Sequence, residues 1–146
     1  MLARRPLSEG EVAVRLEGKG IPGPEAAAAL ARLRELGLLD DEDLCRRLAR
    51  SYQEGRRYGP VKIARTLAAR RFPRELVEEA VREVASPGAV AEAAAQALRK
   101  RFREGLPSGR EGAAKAYRFL AGRGFPPDAC RTAIGRRSAG FPEGDD

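Results

Sequence analysis

Few residues in this chain are arranged for covalent chemistry. Histidine is absent, which removes the commonest general base and metal ligand. Cys45 stands beside Arg46 and Arg47 near an expected helix start, a setting that can lower a thiol pKa. A half-buried small apolar residue would have the same sequence neighbours, and that is the reading adopted for Cys45 and Cys130 alike. The two cysteines form no Cys-x-x-Cys pair. Asp40, Asp41, Glu42 and Asp43 gather four carboxylates, but such residues in the first helical turn cap free amides and complement the helix dipole. No other metal ligand recurs at fixed spacing, and no glycine-rich phosphate loop occurs. The expectation is a non-enzymatic protein with no catalytic residue, no metal and no cofactor.

Positive charge is what the chain has in excess. Its net charge is +7, from 28 basic and 21 acidic residues. Residues 44–74 hold ten basic residues against one acidic residue, Glu54, and residues 93–140 hold eleven against three. The intervening and flanking segments are net acidic, so basicity is concentrated in two blocks. Arg46 and Arg50 lie opposite the apolar stripe Leu44, Leu48, Tyr52, and like charges at that spacing disfavour an isolated helix. Tyr58-Gly59-Pro60 follows Arg56-Arg57 as a tight turn whose amides could face an anion; an ordinary interhelical turn capped by Tyr58 fits equally well. The candidate partner-binding residues are Arg46, Arg47, Arg50, Arg56, Arg57, Tyr58, Gly59, Lys62, Arg65, Arg70 and Arg71 in the first block. Arg99, Lys100, Arg101, Lys115 and Arg118 are those of the second. A solvated face of an arginine-rich protein is the plainer reading of such runs.

The elements that must carry these cations read as helices. Ser8 precedes the acidic Glu9 and Glu11 as an N-cap, and Pro22 and Pro24 start a second helix. Asp40–Asp43 opens a third helix stopped at Gly55, and Pro60 and Pro73 start two more. Three further helices are expected over roughly 90–102, 110–121 and 126–134. Leu16, Leu67 and Leu120 each precede a bulky residue and proline (Ile21-Pro22, Phe72-Pro73, Phe125-Pro126) at spacings of 51 and 53 residues. Leu48, Tyr52, Gly55 and Gly59 recur as Leu98, Phe102, Gly105 and Gly109. Two alignments at one period indicate an internal repeat of three-helix units. With aromatics at 5% and no tryptophan, several small cores are easier to fill than one thick one. The expected units are residues 1–39, with the opening helix cut short, then 40–86 and 87–137, with an acidic, disordered tail at 138–146.

Gly37-Leu38-Leu39-Asp40-Asp41, Tyr58-Gly59-Pro60 with Ile63 and Leu67, and Phe72-Pro73 with Leu76-Val77-Glu78-Glu79-Ala80 together resemble the bacterial RecX regulatory proteins. Leu2–Ser8 is similar to that family's N-terminal signature, and Tyr117-Arg118-Phe119-Leu120 through Gly124-Phe125 to its C-terminal one. A departure is Asp43-Leu44-Cys45, where the family shows a Phe-Ala pair. The resemblance implies an all-α array of three tandem three-helix repeats, elongated and curved. It also implies a monomer that binds the RecA recombinase filament in its groove and inhibits ATP hydrolysis and strand exchange in recombination and DNA repair; a cytoplasmic location is expected from the sequence itself, in which no apolar stretch nears 18 residues. Single- or double-stranded DNA would be bound weakly, and no membrane is involved. A direct nucleic-acid-binding helical module is the alternative.

Overall fold

The computed structural model describes residues 5–139, and within them the chain forms eight α-helices and no strand. They are α1 (Glu9–Gly18), α2 (Gly23–Glu35), α3 (Asp41–Arg56), α4 (Pro60–Ala69), α5 (Arg74–Val84), α6 (Pro87–Arg101), α7 (Gly109–Gly122) and α8 (Pro127–Ala139). Leu2–Arg4 of the N-terminal signature and Phe141–Asp146 of the acidic tail lie outside the described residues.

Local chemistry sets the helix starts. Ser8 and Glu11 form a reciprocal capping box, in which the Glu11 amide donates to Ser8 Oγ at 3.0 Å and the Ser8 amide donates to Glu11 Oε1 at 2.9 Å. Asp40 accepts from the Asp43 amide at 3.2 Å, so that carboxylate of the acidic cluster serves as a cap. Ser86 accepts from the Ala89 amide with Pro87 at the first helical position. α6 therefore begins three residues earlier than the spacing of its apolar residues indicated. The expected stop at Gly55 is also displaced: Gly55 stays helical, and Arg57 takes the left-handed conformation with φ of 56°. α8 runs to Ala139, beyond the boundary drawn at residue 137.

Every extensive helix–helix contact stays within one three-helix unit: α3 with α4 and α5, α4 with α5, α6 with α7 and α8, and α7 with α8. Two separate cores result. Ile63 and Leu67 of α4 are fully buried among Leu44, Cys45, Ala49 and Tyr52 of α3 and Val77, Ala80 and Val84 of α5. Leu98 of α6 and Leu120 of α7 occupy the equivalent centre of the next repeat, with Phe102, Phe125, Cys130 and Ala133 around them. The first repeat has no comparable centre. α1 and α2 pack on each other, yet neither contributes a buried residue, and Val14, Leu36 and Leu38 are exposed.

What joins successive repeats is backbone rather than apolar surface. At the first junction Ser8, fully buried, donates from Oγ to the Arg70 carbonyl at 2.6 Å. A Cβ on Gly10 would come within 2.7 Å of the Arg71 carbonyl oxygen. At the second, the Gly59 amide donates to the Arg123 carbonyl at 2.8 Å and the Val61 amide to the Gly124 carbonyl at 3.0 Å. Gly124 has φ of 91°, and a Cβ there would lie 2.3 Å from the Lys62 nitrogen. In both, the start of one repeat's helix (α1 or α4) meets the left-handed turn before the last helix of the next repeat. Arg71, with φ of 67°, occupies the turn position that Gly124 occupies one repeat later.

The first junction adds an ion pair. Glu11 accepts from Arg70 Nε at 3.0 Å and Nη2 at 2.9 Å, with the two side chains only 15% and 9% exposed. Around it, the Glu9 amide donates to Asp41 and Arg34 pairs with Glu9. Burial alone would raise the Glu11 pKa. The Arg70 hydrogen bonds, the Ser8 amide and the charges of Arg70 and Arg5 outweigh it and hold the carboxyl below its usual value. Asp41, pushed up by burial first and by its acidic neighbours, protonates earlier as pH falls.

Three outcomes are expected. Gly59→Ala should destabilise the chain by about 2 kcal/mol in urea unfolding, because the added Cβ would sit 2.5 Å from the Gly124 carbonyl oxygen. Gly55→Ala, facing open space within a helix, should instead stabilise it by about 0.5–1 kcal/mol. Because the folded Glu11 pKa lies below its unfolded value, its contribution is present above about pH 4.3 and is lost as pH falls through the folded pKa. Glu11→Gln should cost about 3 kcal/mol of first-repeat docking at neutral pH, followed by hydrogen exchange in α1, and should flatten the acid limb of its pH dependence.

Candidate functional site

The cations of the second and third repeats meet where the repeats join. The α3–α4 turn carries Tyr58 next to Gly59, and the backbone contact of Gly59 with Arg123 and Gly124 brings the end of α7 against it. Three cations surround the Tyr58 ring: Lys62 Nζ at 4.6 Å from its centroid, and the guanidinium carbons of Arg56 and Arg123 each at 5.9 Å. Phe119, one turn before Arg123 on α7, takes Arg123 at 5.4 Å and Arg101 at 5.9 Å. Cation–π attraction holds these side chains close despite their mutual repulsion. The Tyr58 hydroxyl is drawn below the usual phenol range, first by a hydrogen bond from Arg56 and, against some burial, by the charges of Lys62, Arg56 and Arg123.

Arg56, Arg57, Tyr58, Lys100, Arg101, Phe119 and Arg123 line one groove, together with Gly55 and Ala97, and no carboxylate lines it. Among the described residues, none of Arg56, Arg57, Lys62, Lys100, Arg101 and Arg123 makes an ion pair. Nε of Arg57 and Nε of Arg123 are buried without an acceptor among those residues. Buried donors with no acceptor are costly, and the chemistry of such a groove is complementary to an anion.

Seven of the residues singled out from sequence (Arg56, Arg57, Tyr58, Gly59, Lys62, Lys100, Arg101) come together here. Arg50 and Arg65 are exposed on α3 and α4, and Lys115 and Arg118 on α7, where Arg118 borders a separate apolar groove with Tyr117 and Ile134. Arg46, Arg47 and Arg99 make exposed pairs with Glu42, Asp43 and Glu92. Such pairs are worth a few tenths of a kcal/mol and do not withhold the cations from a partner. Arg70 is a correction: it is buried and bound to Glu11 and the Pro6 carbonyl, so it serves the first junction and presents no charge outward. Arg71 is exposed, with its backbone against Gly10. Arg123 and Phe119 were not anticipated. The signal for Arg123 was its place ahead of Gly124-Phe125, matching Arg70 ahead of Arg71-Phe72.

The thiols are ordinary core residues, and Cys45 is more deeply buried than the half-buried position expected. Burial first, and the charge of Asp41 second, push the Cys45 thiol up to about 11 against the weaker pull of Arg46, and burial raises Cys130 as well. Cys45 Sγ donates to the Leu76 carbonyl and Cys130 Sγ to that of Phe125. Among the described residues no group of three or more acidic or cysteine side chains is placed to hold a metal, and no helix is long and apolar enough to cross a membrane.

Comparison with known proteins agrees with this architecture. The chain matches the models for the first, second and third three-helix domains of RecX over residues 1–33, 40–81 and 90–134. It is 42% identical to the regulatory protein RecX of Thermus thermophilus over 128 residues, covering 86% of this chain and 79% of that protein. The regulatory protein RecX of Pseudomonas savastanoi pv. phaseolicola is 34% identical over 140 residues, covering 96% and 86%. The crystal structure of RecX from Lactobacillus salivarius superposes with a TM-score of 0.78 at 20% identity, over 92% of this chain and 88% of that one. Eight helices in tandem units, joined at the glycine turn that the sequence flagged, thus accompany likeness along nearly the whole chain: this protein belongs to the RecX family of regulatory proteins.

Proposed function

We propose that this protein regulates recombination by binding the RecA recombinase filament on DNA and inhibiting its ATP hydrolysis and strand exchange. The observation that carries the reading is the groove between the second and third repeats, lined by five cations and no carboxylate. A filament of recombinase on DNA is a long polyanionic assembly, and the groove, together with Arg50 and Arg65 exposed on α3 and α4, offers complementary charge. Repeats in series give the molecule two basic blocks about fifty residues apart. Binding of one block raises the effective concentration of the other at a neighbouring protomer, so modest contacts suffice on a polymer and fail on free subunits. Docking in the filament groove satisfies that geometry. The protein acts as a monomer and brings no catalytic group of its own; inhibition follows from occupying the surface along which protomers must move.

The test is single-stranded-DNA-dependent ATP hydrolysis by the cognate recombinase, with this protein titrated in at near-physiological salt. Inhibition is expected well below the concentration of recombinase protomers. The Arg56→Glu, Arg101→Glu double variant should need roughly tenfold more protein for the same inhibition, about 1.4 kcal/mol of lost binding. Unchanged hydrolysis with the wild-type protein would contradict the proposal. If bare DNA were then bound tightly, with a steep salt dependence, the cationic groove would belong to a direct nucleic-acid module instead.

A further inference from the structure

The two inter-repeat junctions are built on one plan and differ in charge. Ser8 and Gly59 are equivalent: each donates to the carbonyl of the arginine that precedes the left-handed residue, Arg70 in one case and Arg123 in the other. Three residues past Ser8 stands Glu11, and three past Gly59 stands Lys62. At the first junction the carboxylate of Glu11 cancels Arg70 with two hydrogen bonds. At the second, Lys62 and Arg123 take the corresponding places, and both lean on Tyr58 instead of on each other. Where one junction holds an internal ion pair, the other presents two like charges joined by Arg56 and Arg101.

From this comparison we propose that the junction between the second and third repeats is a binding site for a phosphate oxyanion, which takes the place of the missing carboxylate and locks the two repeats together. Lys62, Arg56, Arg101 and Arg123 supply the charge. The buried Nε donors of Arg57 and Arg123 supply directed hydrogen bonds that no described residue accepts. The groove, about 440 Å³, lies within the size range of clefts that hold small ligands. Tyr58 and Phe119 hold the cations in place, so little side-chain order has to be gained on binding. Because Lys62 and Tyr58 belong to the second repeat and Phe119, Arg101 and Arg123 to the third, an anion in the groove bridges the two units and opposes their separation. The phosphate can come from a nucleic-acid backbone or from a free phosphate compound. The site involves no recombinase, so it stands or falls separately from the filament reading.

The test is thermal unfolding followed by circular dichroism, with pyrophosphate in one arm and oligothymidylate in the other. The wild-type chain should gain thermal stability with ligand, and the gain should shrink as sodium chloride is added. Lys62→Glu recreates the Glu11–Arg70 arrangement. It should be at least as stable as wild type without ligand, and should bind at least tenfold more weakly. Arg82→Glu makes the same charge change on the exposed face of α5 and should retain the ligand response. If Lys62→Glu does not fold, Arg56→Ala with Arg101→Ala serves in its place and should lose the response. Stabilisation by pyrophosphate alone identifies a free phosphate compound as sufficient, whereas stabilisation by oligothymidylate alone identifies the nucleic-acid backbone; both support the site. No stabilisation in either arm, or equal losses in Lys62→Glu and Arg82→Glu, would overturn it.

Discussion

Close approach of backbone to backbone at the repeat junctions is the constraint on which the rest of this structure depends. The second and third repeats each close their own small core, around Ile63 and Leu67 or around Leu98 and Leu120, and little apolar surface is left to join one unit to the next. The joining is done where the start of α1 or α4 meets a left-handed turn, at a distance that leaves no room for a Cβ on Gly10, Gly59 or Gly124. A tandem array held in this way resists separation through a few directed hydrogen bonds. Its units therefore keep their order and spacing through a few local contacts at each junction, and those contacts add to the stability of the repeats they join. The first repeat shows the consequence most clearly. With no buried residue in α1 or α2, it depends on Ser8, Glu11 and Arg70 for its attachment.

The same geometry determines where charge collects. A long cation on the helix that begins at a junction must point across it, toward the arginine that precedes the next repeat's turn. A carboxylate at that position neutralises the arginine, as Glu11 does, and the junction becomes purely structural. A lysine there leaves the charge outward, and Tyr58 and Phe119 gather neighbouring arginines into the groove. On one backbone plan, the sign of a single residue thus separates a junction closed by an ion pair from one that opens a cationic groove.

Much of this was legible in the sequence, for identifiable reasons. The repeat appears in the order Leu16, Ile21, Pro22 against Leu67, Phe72, Pro73 and Leu120, Phe125, Pro126, because each unit must bury the same leucine and turn at the same place. Ser8 and Asp40 mark their caps, and Ser86-Pro87 marks the start of α6, ahead of the expected start near residue 90. Tyr58-Gly59-Pro60 stood out as a turn beside cations, but its contact with Gly124 depends on how one repeat stacks on the next, which no local pattern encodes. Arg70 reads in the sequence as one more outward-facing cation, because a run of arginines carries no mark of burial. Its partners, the carboxylate of Glu11 59 residues away and the Pro6 carbonyl, distinguish it. Arg57 shows a further limit: a left-handed arginine ends α3 two residues after the glycine that composition favours.

Amide hydrogen exchange at Gly59 and Val61, resolved by nuclear magnetic resonance, tests the junction most directly. Amides at the start of a helix have no partner within it and ordinarily exchange fast. If these two are bonded to the carbonyls of Arg123 and Gly124, both should exchange as slowly as amides in the middle of α4. Fast exchange at Gly59 and Val61, with α4 and α7 themselves well protected, would contradict the account. The repeats would then move independently, and the cations from the two units would not form one site.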